Sequence, residues 1–169
     1  MISKEEKQKI RQIIKQGDIE SLKIMINNNK ELLFAETAFG TWLEVAADFG
    51  QIDIVKYLID CGIDVNKSCG VSEGGAIKSA SFEGHLDVVK LLIDNGAILD
   101  VSTAEKNPLF AAVYNDHLEV VKLLVANGID YKRAYYIGSI DKCDAYEYAR
   151  QYGRTEIAEY LKEQMEKQR

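Results

Sequence analysis

The chain has 169 residues, 47% of them hydrophobic and 28% charged, which is the balance of a folded domain or short repeat array and excludes a disordered chain. Lys and Arg number 21 against 27 Asp and Glu, a formal charge of -6, so nucleic acid and anionic membrane surfaces are disfavoured as partners. No apolar run approaches the roughly 18 residues that cross a bilayer. The charged start, MISKEEKQKI, has no apolar signal region, and a cytoplasmic location is expected.

In chain order, the first distinctive phrase is GDIESLKIMINNN at 17–29. It returns as GQIDIVKYLIDCG (50–62), GHLDVVKLLIDNG (84–96) and DHLEVVKLLVANG (116–128), with a weaker copy, GRTEIAEYLKEQM, at 153–165. The starts are separated by 33, 34, 32 and 37 residues. That period suits a turn plus two antiparallel helices, repeated along the chain. Each phrase reads as a second helix, apolar around most of its circumference and in need of cover on several sides. Leu91 and Leu123 are expected among its core residues. Its stops are Asn29, Gly62, Gly96 and Gly128, where a left-handed residue ends a helix at little cost.

A shorter first helix precedes each phrase: TWLEVAADFG (41–50), GAIKSASFEG (75–84), NPLFAAVYND (107–116) and DAYEYARQYG (144–153). Small residues at helical spacing let these helices approach one another closely. The expected fold is all-α, a solenoid of stacked helix-turn-helix pairs joined by short finger loops. The caps are expected at about 4–35 and 139–165, with repeats at about 36–69, 70–101 and 102–134. In the last copy Thr155 and Lys162 replace apolar residues on one helical stripe, as a water-facing end needs. At the front, Ser21 takes the place of Val88 and Val120. The array reads as complete, a single domain acting as a monomer.

The Gly-His-Leu-(Asp/Glu)-Val-Val-Lys-Leu-Leu runs, the Asn-Gly and Cys-Gly stops, Gly62-Ile63-Asp64-Val65-Asn66 and Asn107-Pro108-Leu109-Phe110-Ala111-Ala112 together resemble the ankyrin repeat family. The resemblance covers about residues 5–165. Where that family favours Thr-Pro-Leu-His, this chain has Thr-Trp-Leu-Glu, Gly-Ala-Ile-Lys, Asn-Pro-Leu-Phe and Asp-Ala-Tyr-Glu, so the hydrogen bonds those Thr and His residues make between repeats need a substitute. The resemblance implies a shallow curve whose concave side is built from first helices and fingers, and a role in binding a protein partner.

The residues before each phrase then become candidate contacts: Asp48-Phe49, Phe82-Glu83, Tyr114-Asn115 and Gln151-Tyr152, one aromatic in every pair. An aromatic row rimmed by polar groups has the composition of a protein-binding hot spot. The alternative is that each ring folds onto the adjacent finger and only packs. Phe39, Trp42 and Phe110 extend the candidate set, Trp42 with a second reading as a core plug. Tyr135 and Tyr136 lie in an enlarged loop, 131–143, beside Lys132 and Arg133. Glu44, Asp48, Glu73 and Glu83 read either as solvated surface or as an acidic face that steers a basic partner.

Catalysis is not expected, and neither is a cofactor or metal. Both histidines, His85 and His117, sit inside the repeated phrase, where a structural role outweighs a catalytic one. Cys61, Cys69 and Cys143 are odd in number and widely spaced, and read as free thiols. The functional reading is a non-catalytic interaction module. Its narrower alternative, by similarity to small acidic ankyrin proteins of bacteria, is an immunity or antitoxin protein that blocks a cognate toxin or enzyme.

Overall fold

The computed structural model describes residues 2–70 and 73–167. Five helix pairs follow one another: α1 (Lys4–Gln16) with α2 (Ile19–Asn28), α3 (Trp42–Asp48) with α4 (Ile52–Asp60), α5 (Gly75–Glu83) with α6 (Leu86–Asp94), α7 (Pro108–Tyr114) with α8 (Leu118–Ala126), and α9 (Ala145–Gln151) with α10 (Thr155–Lys167). A 3-10 helix, Lys30–Phe34, follows α2. A two-stranded antiparallel hairpin, β1 (Tyr135–Ile137) and β2 (Ile140–Cys143), precedes α9. The enlarged loop of the sequence is therefore an ordered hairpin in a largely helical fold.

The turn inside each pair is the same turn five times. Gly17, Gly50, Gly84, Asp116 and Gly153 all have φ between 65° and 79°. The following N–H reaches back across the turn, as His85 N to Ala80 O and His117 N to Ala112 O, both at 2.9 Å. This satisfies carbonyls that the end of the first helix leaves open. Gly62, Gly96 and Gly128 end the second helices in the same left-handed region. Asn29 does not: its φ is -149°, and its side chain instead accepts from Glu31 N to start the 3-10 helix.

Packing follows residue size. Ala46, Ala47, Ala76, Ala80, Ala111, Ala112, Ala145 and Ala149 are buried along the first helices. Ile54, Val55, Leu58, Val88, Val89, Leu92, Val120, Val121 and Leu124 fill the second helices. Successive first helices touch far more closely than successive second helices do. A row of helices spaced tightly on one side and widely on the other bends toward the tight side, so the first helices form the inner wall. The core runs without a break from Ile10 and Ile14 of α1 to Ile157 and Leu161 of α10.

The burial also moves the expected core by one residue. Leu92 and Leu124 are fully buried, whereas Leu91 and Leu123 are only half-buried. Leu92→Ala or Leu124→Ala is expected to cost about 2–5 kcal/mol through the cavity left behind. Leu91→Ala should cost distinctly less, and urea denaturation of the three variants checks the order. At the one turn with a side chain, Asp116→Gly should raise stability by about 1 kcal/mol by relieving left-handed strain. A lowered denaturation midpoint would show that the Asp116 side chain contributes more than its backbone costs.

Candidate protein-binding face

The inner wall is held in register by one contact that recurs at all four junctions between pairs. The residue just after each left-handed turn sends its side chain to a carbonyl at the end of the preceding pair's first helix. Gln51 Nε2 donates to Lys15 O at 3.2 Å, and Arg154 reaches Tyr114 O through two nitrogens, at 2.6 and 3.1 Å. His85 Nε2 lies 3.1 Å from Asp48 O, and His117 Nε2 lies 3.0 Å from Phe82 O. The histidine rings lie flat against the preceding turn, where a Cβ on Gly50 would stand 2.6 Å from His85 and one on Gly84 2.5 Å from His117. Glycine is needed there twice over, for its φ and for the room.

The fingers are tied together separately. Asn66 donates from Nδ2 to Gly96 O at 3.0 Å and accepts Ile98 N at 2.8 Å, bridging successive fingers. At the next step Tyr135 takes over, its hydroxyl donating to Val101 O at 2.7 Å and accepting from Asn107 Nδ2 at 3.1 Å. Burial lifts the Tyr135 phenol above its ordinary range, so it remains a neutral donor.

On this frame the aromatic residues divide into two groups. Phe82 and Tyr114 lie near-parallel with centroids 6.0 Å apart, and Tyr114 meets Tyr152 edge-on at 5.1 Å. Their exposures are 37%, 41% and 43%, so the three make a continuous open row. Behind them Phe110 and Tyr148 form the supporting layer, with Phe110 to Tyr135 at 5.1 Å and to Tyr148 at 4.6 Å. Burial, then a hydrogen bond to Tyr152, pushes the Tyr148 phenol well up. Phe82 and Tyr114 border a groove of about 430 Å³ that is also lined by Phe110 and Tyr148, by Tyr136 and Ile137 of the hairpin, and by Lys78 and Glu105.

The other candidates fall in different places. Phe49 is half-buried, and its ring faces Arg11 and Lys15 of α1, both at 5.7 Å. Phe39 is exposed but carries the Arg11 guanidinium at 4.1 Å. Tyr136, Asp48, Glu73 and Glu83 are exposed. Asn115 donates to Phe82 O at 2.6 Å and belongs to the junction beside His117.

Three candidates are corrected. Trp42 is fully buried and donates from its indole to Leu32 O at 2.7 Å, a 3-10 carbonyl that also accepts Ala35 N, so the buried indole N–H is satisfied. Glu44 is 2% exposed and closes a capping box with Thr41, accepting Thr41 N at 2.6 Å and the Ser68 hydroxyl at 3.0 Å. It therefore belongs to no acidic surface. Phe110 is 4% exposed, covered by the hairpin and α9. The sequence reading missed Tyr148 and Ile137. Tyr148 lies four residues before Tyr152, so helical spacing already placed the two together.

Among the described residues, no group of three or more His, Cys, Asp or Glu is arranged to hold a metal ion, and no helix is long and apolar enough to cross a membrane. The junction contact can be weighed directly. Gly84→Ala drives a Cβ into the His117 ring, whereas Gly96→Ala, at a similar φ, meets nothing within 4 Å. The second should lose only the strain of a left-handed residue, about 1–2 kcal/mol, and the first should lose more. Equal losses in chemical denaturation would mean that the imidazole swings aside freely.

Residues 77–169 match a family model described as ankyrin repeats (3 copies), and residues 43–93 match one described as ankyrin repeats (many copies). No curated protein matches the chain.

Proposed function

The chain belongs to the ankyrin repeat family, and from that premise we propose that it holds a protein partner against its inner wall and fingers without catalysing a reaction. The observation that carries the reading is the open row of Phe82, Tyr114 and Tyr152. Large rings that stay half-exposed while other rings pack beneath them are what a rigid interface anchor requires. In this reading the chain acts as one monomeric array, capped over about 4–35 and 139–165, with repeats at about 36–69, 70–101 and 102–134. Exposed Thr155 and Lys162 on α10 support the C-terminal cap. The acidic balance favours a narrower form of the same role, in which the partner is a basic toxin or enzyme and binding blocks it.

The test is recovery of bound proteins from the native lysate. The Phe82→Ala/Tyr114→Ala double variant should keep a denaturation midpoint near that of the parent, because these rings are only half-covered. It should lose the partner that the parent retains. If it recovers the same proteins in the same amounts, the wall is not the binding surface. For the blocking role, co-expression with the partner should relieve its toxicity or activity.

A further inference from the structure

We infer that the open aromatic row receives cationic side chains, arginine or lysine, from an extended basic segment of the protein partner. This deepens the proposed function and rests on it, because it names the chemistry that the inner wall takes up.

The chain displays the same interaction at its own N-terminal end. Helix α1 carries Lys4, Lys7, Lys9, Arg11 and Lys15 against Glu5 and Glu6. Two of these cations lie over aromatic rings of the wall, Arg11 over Phe39 at 4.1 Å and Phe49 at 5.7 Å, and Lys15 over Phe49 at 5.7 Å. In the repeat register Lys15 stands two residues before Gly17, as Phe82 stands before Gly84 and Tyr114 before Asp116. The position that supplies a cation in α1 thus supplies a ring in α5 and α7. Among the described residues, no cation lies over Phe82, Tyr114 or Tyr152.

Charge points the same way. The whole chain is at -6, and setting aside the cationic helix α1 leaves the remainder more acidic still. Glu83 is exposed beside Phe82, and Asp48 is exposed at the position of α3 that matches Phe82. Lys78 and Glu105 both flank the groove and offset each other. Spacing selects the form of the guest. Phe82 and Tyr114 are 6.0 Å apart, and side chains on one side of an extended segment recur about every 6.6 Å. A segment with a cation at alternate positions keeps step with Phe82 and Tyr114.

The probe is a capped peptide of alternating Ala and Arg, titrated into the full chain beside the same peptide with citrulline, which keeps the shape of arginine and removes its charge. Ring-proton NMR of Phe82, Tyr114 and Tyr152 reports the site. The arginine peptide should shift these rings and bind about tenfold tighter than the citrulline peptide. Phe82→Leu and Tyr114→Leu leave the charge unchanged and keep a large apolar side chain, and each should weaken the arginine peptide severalfold. Equal binding of both peptides at the rings would overturn the cationic assignment and leave the wall as a peptide site. Arginine binding that is indifferent to both Leu variants would reduce it to diffuse attraction and overturn it. So would unmoved rings at millimolar peptide. Failure of the underlying proposal reads differently, as a native partner that the double alanine variant still captures.

Discussion

Each junction in this molecule depends on a carbonyl near the end of a first helix finding a donor in the next pair. The last turn of any helix leaves carbonyls without intrahelical partners, which are then open to donors from turns, side chains or water. Here the local turn takes care of some, and the next pair's Gln51, His85, His117 or Arg154 reaches one more. The donors differ in chemistry, yet they occupy one register position and one geometry. This contact fixes how far apart successive pairs sit and at what angle.

That constraint propagates outward through residue size. With the ends of the first helices pinned to their neighbours, small side chains such as Ala47, Ala80 and Ala112 let the helix bodies close up. The second helices, filled with Leu58, Leu92 and Leu124, are held further apart. The bend that results gathers the exposed ends of α5, α7 and α9 on one side. Phe82, Tyr114 and Tyr152 are far apart in the chain and become neighbours only because the pairs are in register.

Much of this was legible in the chain. A residue that must be left-handed writes itself as Gly, so the phrase starts and the stops at Gly62, Gly96 and Gly128 could be read at sight, with Asp116 recognisable by position, whereas Asn29 is extended. Histidines repeated in register announced a structural duty. The misreadings have a common physical origin in contacts made by parts of the chain outside the repeat. Trp42 is drawn inward by a carbonyl of the 3-10 helix, and Phe110 is covered by the hairpin. Glu44 is different, since Thr41 and Glu44 stand at capping-box spacing and the box was there to be read. So was the hairpin, whose Gly138-Ser139 turn sits between Tyr-Tyr-Ile and Ile-Asp-Lys-Cys. Leu91 and Leu92 are both apolar, and choosing between them requires knowing which side the neighbouring pair covers.

The hairpin also explains why the aromatic residues do not all collapse into the seam. Tyr135 is anchored at its hydroxyl by Val101 and Asn107, and its ring holds Phe110 edge-on. Phe110 in turn supports Tyr148, and Tyr148 supports Tyr152 at 4.6 Å. The layer beneath Tyr152 is thus already filled, and Tyr152 cannot fold further in without displacing it, while Tyr114 rests on Tyr152 and Phe82 on Tyr114. Close packing is intolerant of such displacement. The outer rings are left half-exposed and are also restrained by one another and by the layer beneath. A guest that meets them therefore pays little to order them, which is the condition under which a few side chains carry most of a binding free energy.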